Sequence, residues 1–428
     1  MQLFAERGRC PPHMRFKLIA CAVGLLAATS LCGRADEPAQ SWQVEMPIVT
    51  YWAGPPLTDK TAQQMTQGGW NLVWCTENEL DVAARHSVRA QLQDSLLAPG
   101  SLENSDKRAQ LDALIQRVKR HPALYSYFIT DEPNATNFAG LGKLVTYLRE
   151  KDPAHLAYIN LFPTYASNAQ LGNTGDKIAA YQTHLHEYLD KVKPALLSYD
   201  HYQFTAKGDS PDYFLNLALI RRAALESGLP FLNIVQAASW TPSMRVPNAN
   251  EMRFLVYTSL AYGAQGISYY VYCCAGHTGG IANADGSPTA LYQPLTMLNH
   301  DFVEIARALR ALKSLGVYHA GMMPPGGQAV PETAAFSFYP PLPVLEYKPP
   351  QPLQGALIGI FGEPPRRARP THAVVVNLDY QSEHVFGIRG PRRLEIFDPT
   401  TREWKPMNQR LVELKLNPGG GALIRIGR

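Results

Sequence analysis

Cysteine is scarce in this chain: six in 428 residues. Cys10, Cys21 and Cys32 fall before residue 36, which leaves Cys75, Cys273 and Cys274 for the remainder. Three cysteines do not make a disulfide framework, and a chain of this length does not need one. A bridge from Cys75 to one of the pair stays open, since all three are expected at strand ends. No Cys-x-x-Cys and no His/Cys cluster with zinc spacing occurs, so neither a metal nor another cofactor is expected. A metal site from Asp131, Asp200 and His201 would need those groups to converge. There is no Gly-x-Ser-x-Gly elbow for serine-centred hydrolysis. No Gly-x-Gly-x-x-Gly follows the first strand, and Thr278-Gly279-Gly280 has no lysine after it to hold a phosphate. Charge is nearly balanced, at net +4 with both signs interspersed. Without a basic block, a nucleic-acid partner is excluded.

The N-terminus carries what the rest lacks. Met14-Arg15-Phe16-Lys17 is a short basic stretch, Leu18 to Leu31 is apolar or small, and Gly33-Arg34-Ala35 supplies small residues before a cut ahead of Asp36. This is the pattern of an export signal over residues 1–35, with Met14 as an alternative start. The apolar run is too short for a transmembrane helix. Leu31 is large for the position before a lipidated Cys32, so a soluble secreted or periplasmic protein is expected.

From residue 48 to about 315, short apolar runs alternate with helical patterns in eight β-then-α units, over about 265 residues in all. The fourth run, Leu124 to Thr130, has no polar/apolar alternation and reads as a strand buried on both faces. It ends in Asp131-Glu132-Pro133-Asn134, where proline stops the ladder. The last helix is predicted from Leu291 to Leu315. Eight such units at this length predict an α/β fold, a closed (β/α)8 TIM barrel over residues 45–318. A doubly wound open sheet is the alternative. Residues 319–352 are proline-rich and read as a linker, and short strand-like runs separated by turns over 353–428 predict a β-sandwich.

Residues just past the carboxyl ends of barrel strands converge on one mouth. The acids there are Glu77, Glu79, Asp94, Asp131, Glu132 and Asp200. Aromatics reach the same rim: Tyr51, Trp52, Trp74, Tyr165, Tyr199, Tyr202, Phe204, Trp240, Tyr270 and Tyr272, any of which core packing would equally explain. Aromatic faces with a few carboxylates suit a sugar, whose ring stacks while its hydroxyls need acceptors. Glycoside cleavage uses two carboxyl groups, one protonating the leaving oxygen and the other attacking or activating water. Glu132 is the expected acid, its proton affinity raised by neighbouring Asp131. Asp200 is the expected partner and Glu77 the reserve. Asp131, Trp52, Trp74, Glu77, Asn134, His201, Tyr202 and Tyr270 are expected to bind a carbohydrate substrate.

The run Tyr127 to Asn134 resembles the fourth-strand end of TIM-barrel glycoside hydrolases. In the galactosidase and cellulase clan that site reads Asn-Glu-Pro, with the Glu as acid/base, which implies the same role for Glu132. Leu197 to Tyr202 and Tyr257 to Ile267 are similar to segments of secreted bacterial glycoside-hydrolase-like barrels, the latter to family 42. Leu416 to Ile424 resembles the end of the β-sandwich that trails many such barrels. The resemblance covers most of residues 48–428 through short motifs. Two departures stand out. Asp131 replaces the clan's Asn, and the seventh strand ends at Gln236 where the clan carries its nucleophilic Glu. The expected activity is therefore hydrolysis of a glycosidic bond with Asp200 as second carboxylate, or binding of glycan without hydrolysis.

Overall fold

A computed structural model describes residues 45–363 and 369–427. The export signal expected over residues 1–35 lies outside the described residues. Among those described, no helix is long and apolar enough to cross a membrane.

Eight parallel strands form the inner layer: β1 (Ile48–Trp52), β2 (Leu72–Cys75), β3 (Arg89–Leu92), β4 (Leu124–Asp131), β5 (Leu156–Leu161), β6 (Leu197–His201), β7 (Phe231–Gln236) and β8 (Gly266–Tyr270). Each pairs with its sequence neighbour from β2 through β8, and β8 pairs with β1. The β1–β2 seam is held partly by a side chain. Asn71 Oδ1 accepts from the Val49 amide at 2.8 Å, and Asn71 Nδ2 donates to the Pro47 carbonyl at 2.8 Å. The result is a nearly closed barrel. Its interior is filled by Ile48, Leu72, Tyr125, Leu156, Tyr158, Leu196, Leu232 and Ile234, so it is a packed core and not a pore.

Among the described residues one main helix follows each strand: α1 (Asp59–Gln67), α2 (Leu80–Arg85), α3 (Ser105–Val118), α4 (Phe138–Lys151), α5 (Lys177–Val192), α6 (Tyr213–Ser227), α7 (Ala249–Tyr262) and α8 (Tyr292–Leu309). The amphipathic pattern of α3 buries Leu111, Leu114, Ile115 and Val118, the face expected from its spacing. α7 starts at a capping box between Asn248 and Glu251 and ends at Gly263, whose φ of 93° is left-handed.

The C-terminal part is a β domain. Its strands are β9 (Lys313–Gly321), β10 (Ser337–Phe338), β11 (Gly355–Glu363), β12 (Arg369–Asn377), β13 (His384–Arg389), β14 (Leu394–Asp398), β15 (Glu403–Pro406), β16 (Leu411–Leu416) and β17 (Gly421–Ile426). They form an antiparallel six-stranded sheet, β9-β11-β12-β17-β14-β15, and a three-stranded sheet, β10-β13-β16. Residues of both sheets share one apolar cluster, with Ile358, Val375, Phe386, Ile388, Val412 and Ile424 inside it.

The last helix stops six residues before its expected end at Leu315, because residues 313–321 pair as a strand with β11 instead. That strand straddles the expected barrel limit at 318. The proline-rich stretch after it is no bare linker either, since Phe336 and Phe338 enter the β-domain core. α7 carries this domain on the barrel. A Cβ at Gly359 of β11 would lie 2.0 Å from the Ala261 carbonyl, so only glycine lets the two backbones come that close.

Candidate active site

The site is built on the ends of β4, β5 and β6. In β4 a register shift between Phe128 and Thr130 inserts one extra residue relative to β5. Such a bulge re-aims the side chains beyond it. Here it sets Asp131 level with Asn160 of β5, and Asn160 is level with Ser198 of β6. Because strand side chains alternate, Ser198 and Asp200 face the same way. The chain leaves β4 through Glu132, whose φ of 42° lies in the left-handed region. A non-glycine residue there costs about 1 kcal/mol or more and is found where surrounding structure over-determines it. The Glu132 amide is fixed by donating to the Asn160 carbonyl at 2.9 Å.

The carboxyls of Glu132 and Asp200 lie near enough to raise the proton affinity of Glu132. Burial pushes Glu132 up to about 8, and repulsion from Asp200 and Asp131 adds to the shift. Burial also pushes Asp200 up, with repulsion from Asp131 behind it, while donation from Tyr202 and Asn160 opposes the rise. Like charges this close do not both ionise near neutrality, so the pair titrates as a unit holding one proton. Asn160 Nδ2 donates to Asp200, and Tyr202 likewise favours its charged form, which assigns the shared proton to Glu132.

Asn160 organises the acids. Its Nδ2 donates to Asp131 Oδ1 at 3.0 Å and to Asp200 Oδ1 at 3.2 Å. Its Oδ1 accepts from Ser198 Oγ at 3.0 Å, and that hydroxyl lies 2.7 Å from the Tyr158 hydroxyl. A chain of three polar side chains, Asn160, Ser198 and Tyr158, thus runs from the carboxyls of Asp131 and Asp200. Sequence reading passed over Asn160 because β5 ends without an acid; the available signal was a polar residue inside an otherwise apolar strand. Asp131 keeps one face open to solvent, and burial on its other sides raises its proton affinity.

Aromatic walls flank the acids. On one side Trp52 meets Trp74 with centroids 4.8 Å apart, and Phe128 lies 4.7 Å from Trp74. On the other, Tyr202, Trp240 and Tyr270 form a triangle with centroids 4.6 to 5.0 Å apart. His277, another residue not foreseen, closes this group with Nε2 at 3.1 Å from the Tyr270 hydroxyl. Tyr165 stands exposed at the rim. Tyr51, Tyr199, Phe204 and Tyr272 are instead fully buried core.

Three expected binding residues are occupied elsewhere. Glu77 is held by Arg117 of α3 in a two-pronged ion pair at 2.6 and 2.8 Å. Asn134 caps the turn after β4: its Oδ1 accepts from Thr136 N and Oγ1, and its Nδ2 donates to the carbonyls of Ala169 and Gln170. All its hydrogen-bonding capacity is spent on protein. His201 is fully buried behind Tyr165, 5.1 Å between ring centroids, and burial pushes its ring down to about 3. A neutral ring in that position does not reach a substrate. The three cysteines are all free, with Cys75 buried, so the bridge left open from the sequence is not made.

Gln236, at the end of β7, is fully buried. Its Oε1 accepts from Phe204 N at 2.9 Å; its Nε2 donates to the carbonyls of Phe204 at 3.0 Å, Ala238 at 3.3 Å and Arg245 at 2.6 Å. A carboxylate accepts but does not donate, so Glu cannot make these contacts. The position is a clamp between two loops.

No family model matches the sequence, and no curated protein matches it. Solved structures do. One is a catalytic mutant of a family 42 β-galactosidase from G. stearothermophilus, with a TM-score of 0.55 and 9% identity over 91% of this chain and 99% of that one. Another is a glycoside hydrolase family 5 structure from Bacteroides vulgatus, with a TM-score of 0.53 and 11% identity over 88% of each chain. A third, described as a glycoside hydrolase, has a TM-score of 0.51 and 12% identity over 88% of this chain. At such identities the likeness is one of fold: the chain shares the TIM-barrel fold of these glycoside hydrolases.

Proposed function

We propose that this protein hydrolyses a glycosidic bond in an extracellular oligo- or polysaccharide, with Glu132 as general acid/base and Asp200 as nucleophile. The observation that carries the reading is the proton-sharing Glu132–Asp200 pair at a strained strand end. A pair of acids near enough to raise each other's proton affinity suits the retaining separation of about 5–5.5 Å better than the about 6.5–9.5 Å of an inverting pair. In the retaining course, Glu132 gives its proton to the glycosidic oxygen as that bond breaks. Asp200 attacks the anomeric carbon and forms a glycosyl ester. Glu132, now ionised, takes a proton from the water that cleaves the ester. Asp131, with an open face, accepts from a sugar hydroxyl. Trp52, Trp74, Tyr202 and Tyr270 supply stacking faces, joined by Trp240.

The expected export signal places the protein outside the cytoplasm, where such polymers occur. We read the C-terminal domain as a β-sandwich of the kind that trails similar barrels. A second reading, a carbohydrate-binding barrel without turnover, draws on Gln236 standing where the clan carries its nucleophile. The test is turnover of plant, algal and bacterial polysaccharides by the wild type, Glu132→Gln and Asp200→Asn. Loss in both variants supports hydrolysis. Equal turnover in all three removes it, and binding without turnover selects the second reading.

A further inference from the structure

The β6 loop, which carries Tyr202 directly after the strand end, is held from two sides. One hold is Gln236, already described. The other comes from the C-terminal domain. Tyr380 projects from the turn between β12 and β13, is 5% exposed, and donates its hydroxyl to Asp209 Oδ1 at 2.9 Å. Asp209 is itself 2% exposed. Its amide donates to the Pro350 carbonyl at 2.8 Å. Next to it, Gly208 has φ of 120°, and a Cβ there would lie 2.4 Å from the same carbonyl. The ring of Tyr380 packs 5.6 Å from Phe204, the residue whose backbone Gln236 clamps.

The turn presenting Tyr380 is itself rigid. Asn377 Oδ1 accepts from the Asp379 amide at 3.1 Å, and Asp379 Oδ1 accepts from the amides of Gln381 and Ser382. A buried hydroxyl–carboxylate bond between two ordered segments costs little further entropy to hold, and removing one partner leaves the other buried and unpaired. The loop it fixes begins at Tyr202, directly after the strand end, and the Tyr202 hydroxyl acts on Asp200 and favours its charged form.

We propose that Tyr380 is a positioning residue: through Asp209 the C-terminal domain holds the β6 loop and thereby sets Tyr202 on Asp200. This rests on the reading of Glu132 and Asp200 as the reacting pair, but its test does not need a substrate. Tyr380→Phe removes one hydroxyl and keeps the ring. The control is Tyr257→Phe, which deletes a comparable bond, to Asp301 at 3.1 Å, away from the loop. Amide hydrogen exchange over residues 200–210 is expected to quicken in Tyr380→Phe by about five- to tenfold, the factor that the loss of one such bond gives. Carbon-13 carboxyl titration of the Glu132–Asp200 pair is expected to move to higher pH in the same variant, as Tyr202 donation loosens. Tyr257→Phe is expected to change neither.

Asp209→Ala cuts the same bond from the other end, and the double variant Asp209→Ala/Tyr380→Phe is expected to match Asp209→Ala alone, as residues sharing one interaction do. Unchanged exchange and titration in Tyr380→Phe, equal changes in the Tyr257→Phe control, or additivity in the double variant would each overturn the proposal. An altered loop and titration in a protein that turns over no glycan would leave the positioning intact and remove the hydrolase reading instead.

Discussion

The ends of β4 and β6 differ from the end of β7, a short distance around the same rim. At β7, Gln236 is buried with its amide donating and accepting in four hydrogen bonds, and its backbone lies in regular strand. At β4 and β6, three carboxyls gather around one asparagine; one of them sits on a left-handed backbone, and the interactions that raise their proton affinities come from burial and from each other. The first arrangement lowers the energy of the fold. The second raises it. Proteins keep unfavourable local arrangements where function requires them, and strongly shifted carboxyls in a cleft mark such places. The strand end that carries the clan's nucleophile therefore serves as scaffold here, and the chemistry lies between β4 and β6.

The largest effect that sharpens this contrast is on turnover. Glu132→Gln is expected to lower kcat on a good substrate by about 10²–10⁴-fold, the usual worth of a positioned acid, and Asp200→Asn by at least as much. Steady-state kinetics on the polysaccharide that the panel identifies provides the check. A turnover–pH profile extends it. Rate should fall on the alkaline side as Glu132, pushed up to about 8, loses its proton, and on the acid side as Asp200 gains one. A flat profile from pH 5 to 9 would break the assignment.

Next is Gln236→Glu, which puts the clan's acid back at β7. Because it would bury an unpaired charge against carbonyls, it is expected to lower unfolding free energy by about 3–5 kcal/mol and to confer no new turnover. Urea unfolding at pH 7 measures it, and a fully stable variant would show that this end is not a clamp.

A smaller effect runs the opposite way. Glu132 and Asp200 have folded-state proton affinities above those of the unfolded chain. The folded state therefore binds more protons between pH about 4 and about 8, and loses stability as pH rises through that window. Glu132→Gln removes the penalty, so Tm is expected to rise by on the order of 2 °C at pH 8 and by less at pH 5. Calorimetry at the two pH values would show it, and a lower Tm at pH 8 would contradict the strained-site account. The smallest effect is expected for Glu77→Gln, which breaks only an exposed ion pair with Arg117. Turnover should stay within about twofold and Tm within about a degree.

Much of the frame was legible in the chain. The β4 run, the amphipathic α3 and the turn residues between units each carry a local signal, because periodicity and capping are properties of neighbours in sequence. The same locality misled at residues 313–321. Leu315 and Val317 continue an apolar pattern after α8, but β11 offers a partner edge some forty residues further on, and pairing with it wins. Asn134 and Glu77 looked available because their partners, Ala169 and Arg117, lie about 35 and 40 residues away.

By itself the sequence determined that eight strand–helix units follow one another and that Asp131, Glu132 and Asp200 stand at strand ends, since these depend on spacing alone. Only the tertiary structure decided that Glu132 and Asp200 come close, that Asn160 bridges Asp131 to Asp200, that His201 is buried, and that Gln236 is a clamp. Each of these depends on which side chains the closed barrel brings within hydrogen-bonding distance, and that is set by register between strands far apart in the chain.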